Sequence, residues 1–126
     1  MIRTVHTENA PAAVGPYSQA IDAGKVVYLS GQIPIDPTTG KMIDDDVKQA
    51  TRQTLENLKA VLAEVRLTFA DVVKCEVFLA DVNDFAAMNE VYAEYFFENE
   101  PARQAIEASA LPKGALVEIS CIAMRK

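Results

Sequence analysis

The chain has 126 residues and a mass of 13.7 kDa, and 50% of its residues are hydrophobic. A chain of this size buries about two-thirds of its unfolded surface, enough for one core, so we expect a single domain spanning residues 1–126. Twelve basic and eighteen acidic residues give a net charge of −6, which disfavours general affinity for nucleic acids or anionic membranes. The first residues lack the apolar core of a secretory signal, and no apolar run approaches the ~18 residues of a membrane span. We therefore expect a cytoplasmic protein.

Turn residues divide the N-terminal part of the sequence into short strands. Residues 17–22 and 26–30 flank a turn that contains a glycine, which predicts two strands joined tightly. The only histidine, His6, precedes them, near an N-terminus that we expect to be flexible. A second turn cluster follows at residues 36–40.

A long amphipathic helix is predicted from residue 47 onward. Its apolar residues recur with the 3.6-residue period of one buried helical face: Val47, Ala50, Leu55, Leu58, Val61, Leu62 and Val65. The three aspartates at 44–46 lie where carboxylates cap free amides and face the positive end of the helix dipole. A calcium loop would need alternating oxygen ligands and a distal glutamate, which this sequence lacks. We therefore interpret the aspartates as a cap.

The second half of the sequence predicts strand, helix, strand and strand. Residues 72–80 alternate, with Val73, Cys75, Val77 and Leu79 on one side and Val72 on the other. A helix then carries an apolar stripe, which we interpret as core: Phe85, Met88, Tyr92 and Phe96. The last two strands lie around residues 103–108 and 116–124. The two cysteines, Cys75 and Cys121, have no metal-type spacing and are predicted to be buried.

Strands grouped around only two helices predict an α+β fold, in which both helices pack on one face of a mixed β-sheet. The last strand is apolar on both sides: Val117, Ile119, Cys121 and Ala123 on one, Leu116, Ile122 and Met124 on the other. Two helices cover one face only, and a bare apolar second face would be a large exposed patch. We therefore predict a homo-oligomer that buries this second face.

Several standard catalytic sites are excluded by residue types. One histidine cannot build a Ser-His-Asp or Cys-His arrangement within a chain, and one histidine with two buried cysteines cannot supply a zinc site. No phosphate-binding loop, dinucleotide motif or nucleophile-elbow serine occurs. We therefore expect no metal site, and an enzyme with this sequence would work without these devices.

Two charged residues, Arg103 and Glu118, lie at positions where a purely structural role does not readily explain a charge. Arg103 begins a strand after Pro101, and a planar guanidinium suits two-point binding of a carboxylate. The alternative is a surface ion pair. Glu118 shares its strand face with Leu116 and Ile122, where a carboxylate is costly unless it is paired or reaches a cavity. Burial would raise its pKa towards a range useful for proton transfer. The alternative is an interface salt bridge or a wet edge strand.

Three further polar side chains are candidates for a pocket. Asn89 lies on the apolar stripe, four residues after Phe85 and three before Tyr92, so its amide needs a partner. Ser30 ends a strand, where its hydroxyl lines a pocket or caps a turn. Tyr17 follows a Gly-Pro pair, and by default it is a half-buried aromatic residue.

One set of short motifs occurs in a fixed order along the chain: Gly15-Pro16-Tyr17-Ser18-Gln19-Ala20, Ser30-Gly31-Gln32-Ile33-Pro34, Phe78-Leu79-Ala80-Asp81, Asn89 with Tyr92, Pro101-Ala102-Arg103, and Leu111-Pro112-Lys113-Gly114 with Val117-Glu118-Ile119. Together these motifs resemble the Rid family of reactive-intermediate deaminases, also called the YjgF family. The resemblance spans residues 7–124, and Pro-Ala-Arg followed at fixed distance by Val-Glu-Ile is its most specific part.

The resemblance implies a chorismate-mutase-like fold, a homotrimer with sites between subunits, and cofactor-free hydrolysis of 2-imino acids such as 2-iminopropanoate to 2-keto acids and ammonia. It implies that Arg103 binds the substrate carboxylate and that Glu118 activates water. The main chain at Ala105 would form a hydrogen bond near the imine of the substrate. Tyr17, Ser30 and Asn89 would line the pocket.

The chain also departs from the family pattern. Ala105 stands where cysteine is frequent, so any role there belongs to the main chain. Gln104 and Glu100 replace a small residue and an aromatic residue or proline, which we expect to narrow the pocket or to add negative charge near it. Arg66 replaces a helix-ending glycine, at a small expected cost in stability. Two other functions compete: a non-catalytic sensor of 2-keto acids, and RNA cleavage or inhibition of translation, which the acidic charge disfavours.

Overall fold

A six-stranded mixed sheet with both helices on one face forms the fold of this computed structural model, which describes residues 2–126. The strands are β1 Arg3–Val5, β2 Ala20–Asp22, β3 Val26–Gln32, β4 Val72–Leu79, β5 Ala102–Glu107 and β6 Val117–Met124. Their order across the sheet is β1-β2-β3-β6-β4-β5, and only the β4–β5 pair is parallel. The predicted α+β class with two helices on one face is confirmed.

Helix α1, Val47–Glu64, follows the predicted period and buries the predicted stripe against the sheet, except for Val47, which is only part-buried. Its N-cap is Asp46, whose carboxylate accepts from the Lys48 amide at 3.0 Å, as the sequence predicts. Helix α2, Phe85–Tyr95, packs beside α1. An ion pair between Arg52 and Glu94 at 2.8 Å joins their outer faces, so the two helices form one layer.

The predicted burial of the last strand is confirmed. In β6 the residues Val117, Ile119, Cys121 and Ala123 are buried under the helices, while the alternate residues lie on the other face. No helix covers that second face within residues 2–126. Large apolar side chains lie exposed on it, Tyr28 and Met124 among them, because side chains alternate along each strand.

Three expectations about the strands were wrong. Val72 is buried and Val73 is exposed, because a register irregularity between Val72 and Lys74 against β6 breaks the simple alternation. The segment before His6 is an edge strand, because Arg3–Val5 pairs with β2 and Arg3 bonds Asp22 at 2.9 Å. Strand β2 is shorter than predicted, so Tyr17 lies in the loop before it.

Candidate active site

Arg103 lies on the helix face of the sheet, on its edge strand β5. It pairs with Cys75 of β4, and this buried cysteine faces the helices. The Arg103 Nη1 donates to the Asn89 Oδ1 at 2.6 Å. The inward-facing amide that the sequence predicted on α2 therefore has its partner in the guanidinium.

Two aromatic rings of α2 also contact this guanidinium. The Arg103 Cζ lies 4.8 Å from the centre of the Tyr92 ring and 5.4 Å from that of Phe85. Arg103 opens into a groove of about 590 Å³, which we call the arginine groove; its walls are Asn89, Tyr92, Ala93, Phe96, Phe97, Glu100, Pro101 and Arg103. Within residues 2–126 no carboxylate forms an ion pair with Arg103. The surface ion pair considered from the sequence is absent there, and the guanidinium charge stays available.

Glu118 lies on the opposite face of the sheet. Its strand neighbours Val117 and Ile119 point under the helices, so alternation directs Glu118 to the uncovered face. The part-buried carboxyl lines a second groove of about 520 Å³, which we call the glutamate groove. Burial raises the pKa of Glu118 above its ordinary value, because desolvation disfavours the charged form.

The glutamate groove is shaped by a bulge in β3. Leu29 pairs with Cys121, yet Gln32 pairs with Ile119, so β3 holds one more residue than β6 over this interval. The extra residue places Gly31 directly against Glu118, and a Cβ on Gly31 would lie 2.6 Å from the Glu118 Oε2. The Glu118 carboxyl therefore occupies the space that any side chain at position 31 would take.

Two other predicted residues, Tyr17 and Ser30, line the glutamate groove. The Ser30 hydroxyl donates to the Ser18 carbonyl at 2.6 Å, so it both ties the preceding loop and borders the groove. Tyr17 is 53% exposed, as expected for a half-buried ring. The side-chain amide of buried Gln19 holds this loop by bonding the Thr7 amide at 2.7 Å and the Pro11 carbonyl at 2.8 Å.

The predicted site residues thus form two groups within one chain. Arg103, Asn89 and part-buried Ala105 lie on the helix face, and Tyr17, Ser30 and Glu118 lie on the uncovered face. The two grooves share no lining residue. Because the sheet separates them, one chain does not bring Arg103 and Glu118 to the same small ligand.

Three residues at the site were not recognised from the sequence. Tyr92 was predicted as core and as part of a motif with Asn89, and it is 8% exposed, but its ring also supports Arg103. Phe85, predicted as core, is 36% exposed because it lies at the open end of the stripe beside Arg103. Gly31 gave no signal beyond its motif. For Tyr92 and Phe85 the sequence did offer a signal, because their spacing from Asn89 places all three side chains on one face of a helix.

Two standard kinds of site have no counterpart in residues 2–126. No three side chains of the metal-ligating types His, Cys, Asp and Glu come together there. No helix in the same range is both long enough and apolar enough to cross a membrane.

Known proteins match this chain over all the residues that form the two grooves. The family model described as Endoribonuclease L-PSP matches residues 7–125. A RutC family protein of Pyrococcus horikoshii is 55% identical over the full length of both chains. A Salmonella typhimurium protein named 2-iminobutanoate/2-iminopropanoate deaminase is 48% identical, again over 100% of each chain. The crystal structure of Escherichia coli TdcF with bound serine superposes with a TM-score of 0.95 at 42% identity, covering 98% of this chain and 99% of that one.

These matches extend over both grooves and over every element that positions them. The chain therefore belongs to the Endoribonuclease L-PSP family, the YjgF or Rid family that its ordered motifs resemble.

Proposed function

We propose that this protein hydrolyses reactive 2-imino acids, such as 2-iminopropanoate, to 2-keto acids and ammonia, at sites between the subunits of a homotrimer. The observation that carries the proposal is the pair of unneutralised groups in the two grooves. Arg103 is held by a neutral amide and two rings, and the pKa of Glu118 is raised by burial. One group suits a substrate carboxylate, and the other suits proton transfer.

The chemistry needs little more than these two groups. An imine carbon is already electrophilic, so the protein has to orient the substrate, place a water and move protons. Water adds to C2 while Glu118 takes the proton that the water loses, and Glu118 returns this proton to the nitrogen to give a carbinolamine. The C2 hydroxyl then gives up its proton, which Glu118 transfers to the amine. The C–N bond breaks, ammonia leaves, and the C2 oxygen becomes the keto oxygen.

The assembly follows from the placement of the two groups on opposite faces. A substrate of a few atoms that touches both needs Arg103 from one subunit and Glu118 from its neighbour. The uncovered apolar face supplies a surface for that contact. Among the relatives, the name of the Salmonella protein states this activity, and TdcF was solved with serine, a ligand that carries a carboxylate.

A trapping assay tests the activity. A pyridoxal-phosphate-dependent serine dehydratase generates 2-aminoacrylate, semicarbazide traps the imine, and this protein is expected to lower semicarbazone formation. Arg103→Ala and Glu118→Gln are each expected to lose the effect while remaining folded. Full activity of Arg103→Ala would contradict the proposed anchor.

A mixing experiment tests the shared site. The two inactive variants are unfolded together, refolded and assayed. In a mixed ring, a site is intact only where its Arg103 comes from a Glu118→Gln subunit and its Glu118 comes from a neighbouring Arg103→Ala subunit. With random mixing, this holds for about one quarter of the sites. Recovery of about a quarter of wild-type activity is expected. No recovery from correctly assembled mixed oligomers would place both residues in the same subunit's site.

The alternative function, a non-catalytic sensor of 2-keto acids, is distinguished from the deaminase by the effect of replacing Glu118. A sensor needs Arg103 but tolerates Glu118→Gln, whereas hydrolysis needs both. Keto-acid binding without turnover in the wild-type protein would favour the sensor.

RNA cleavage is raised by the family description itself. The net charge of −6 argues against it, because phosphate contacts supply most of the affinity for nucleic acids. RNA binding that persists at moderate salt would favour it.

A further inference from the structure

The Arg103 guanidinium is supported in an unusual way for this chain. Arg3, Arg52 and Arg125 all bond carboxylates, at 2.9 Å, 2.8 Å and 2.9 Å respectively. Arg103 instead bonds a neutral amide and lies over two rings. A carboxylate partner would fix its direction but would also compete with any carboxylate ligand, whereas neutral partners leave the charge intact.

The three supporting side chains come from one stripe of α2. Phe85, Asn89 and Tyr92 follow the i, i+4, i+7 spacing that places side chains on one helical face. Asn89 accepts from Nη1, which leaves the other N–H donors of the guanidinium for a ligand. The rings fix the position of the guanidinium, and the amide fixes its rotation.

The Tyr92 hydroxyl has no part in this support. It is buried without a hydrogen-bond partner of normal geometry within residues 2–126, and the Cys75 thiol is its polar neighbour. The contact with Arg103 is made by the ring face. Phenylalanine at position 92 therefore preserves the contact, and leucine removes it.

We propose that Tyr92 and Phe85 are positioning residues that hold Arg103 in the orientation needed to select planar carboxylates. This inference rests on the proposed function, in which Arg103 anchors the substrate carboxylate. It adds the residues that make the anchor selective and assigns Asn89 to Arg103 rather than to the substrate directly.

The test measures selectivity instead of turnover. Pyruvate and its neutral analogue pyruvamide are titrated against the assembled protein by ligand-observed NMR, and the ratio of their dissociation constants reports what Arg103 supplies. The wild-type protein is expected to prefer pyruvate by more than about tenfold, as for a charge-assisted pair. Tyr92→Leu is expected to reduce this preference by about 3- to 10-fold, and the more exposed Phe85→Leu by about 2- to 5-fold.

Two controls separate positioning from stability. Tyr92→Phe keeps the ring and is expected to restore the preference that Tyr92→Leu loses. Val91→Ala removes a buried side chain from the same helix that does not line the arginine groove, and it is expected to lower the melting temperature without changing the preference. A fall in preference with Val91→Ala as large as with Tyr92→Leu would overturn the positioning role.

The outcomes also distinguish this inference from the proposed function. If Arg103→Ala abolishes the preference for pyruvate while Tyr92→Leu and Phe85→Leu keep it, the anchor stands and the positioning role is wrong. If Arg103→Ala keeps the wild-type preference, or the wild-type protein has none, the anchor itself is wrong and the inference fails with it. A reduced preference in both leucine variants, restored by Tyr92→Phe, supports the inference.

Discussion

Replacing Gly31 by alanine tests whether the position of the Glu118 carboxyl matters for the reaction. The new Cβ would lie 2.6 Å from Oε2, 3.0 Å from Cδ and 3.1 Å from Cγ of Glu118, where ordinary contacts begin at 3.4 Å. The carboxyl oxygen must therefore retreat by about 0.8 Å, and the rest of the side chain by a few tenths of an ångström.

A displacement of this size is expected to affect activity more than stability. A shift of about 1 Å in a reacting group can cost about 100-fold in rate, so Gly31→Ala is expected to lower kcat for imine hydrolysis by one to two orders of magnitude. The Glu118 carboxyl can move into its groove, so the loss of stability is expected near the low end of overpacking, about 1 kcal/mol. Binding of pyruvate, which depends on Arg103, is expected to persist.

The assay is steady-state imine hydrolysis together with thermal unfolding. Gly40→Ala is the matched control, because Gly40 lies in open space with φ +75°. It is expected to lower stability through backbone strain while kcat is unchanged. A folded Gly31→Ala protein with wild-type kcat would refute the reasoning, because the displaced carboxyl would then have no part in the rate-limiting chemistry.

Three further predictions concern stability and reactivity. Arg66 ends α1 with φ 64°, so Arg66→Gly is expected to stabilise the fold by about 0.5–1 kcal/mol, measured by denaturant unfolding, and a lower stability would contradict the strain argument. The Gly24 amide, Arg125 and Arg3 hold the pKa of Asp22 well below its usual value. The folded state therefore binds fewer protons at this site than the unfolded state, and the stabilisation is complete above the unfolded pKa of about 4 and is lost as pH falls through the folded one. Asp22→Asn should therefore reduce the loss of stability that the wild-type protein shows as the pH falls. An unchanged loss would mean that other carboxyls cause it. Burial raises the pKa of Cys75 to about 11 and that of Cys121 well above its usual value. Neither thiol should react with an aromatic disulfide reagent at pH 8 until the protein unfolds, and rapid labelling of the native state would contradict this.

The elements predicted correctly from the sequence are those whose signal is local and repeated. Helix α1 has a complete stripe and the Asp46 cap, and β6 alternates over its whole length. Strand β1 has only three residues, too few for a period to be visible. It is held by pairing with β2 and by the Arg3–Asp22 bond, which are contacts between distant parts of the sequence.

The faces of the strands were harder to predict than the strands themselves. A period of two is reversed by a single irregular residue, as with Val72 and Val73. An irregularity in strand register also produces the bulge at Gly31, and this bulge creates the contact between Gly31 and Glu118. Residue types therefore identify what a site contains, but irregularities in strand register decide where each side chain points.

The opposite placement of Arg103 and Glu118 also limits which assembly makes a complete site. A two-fold interface joins one surface patch to its own copy, so that residue i of each subunit contacts residue j of the other. It completes the proposed site only where one patch carries both grooves, and here the grooves open on opposite faces of the sheet. A head-to-tail interface joins two different patches and closes into a ring when the rotation allows. With the two grooves on opposite faces, a head-to-tail interface places the cation of one subunit beside the carboxyl of the next at every interface. The unneutralised groups on the two faces of one chain thus favour a ring, such as the proposed trimer, over a two-fold dimer.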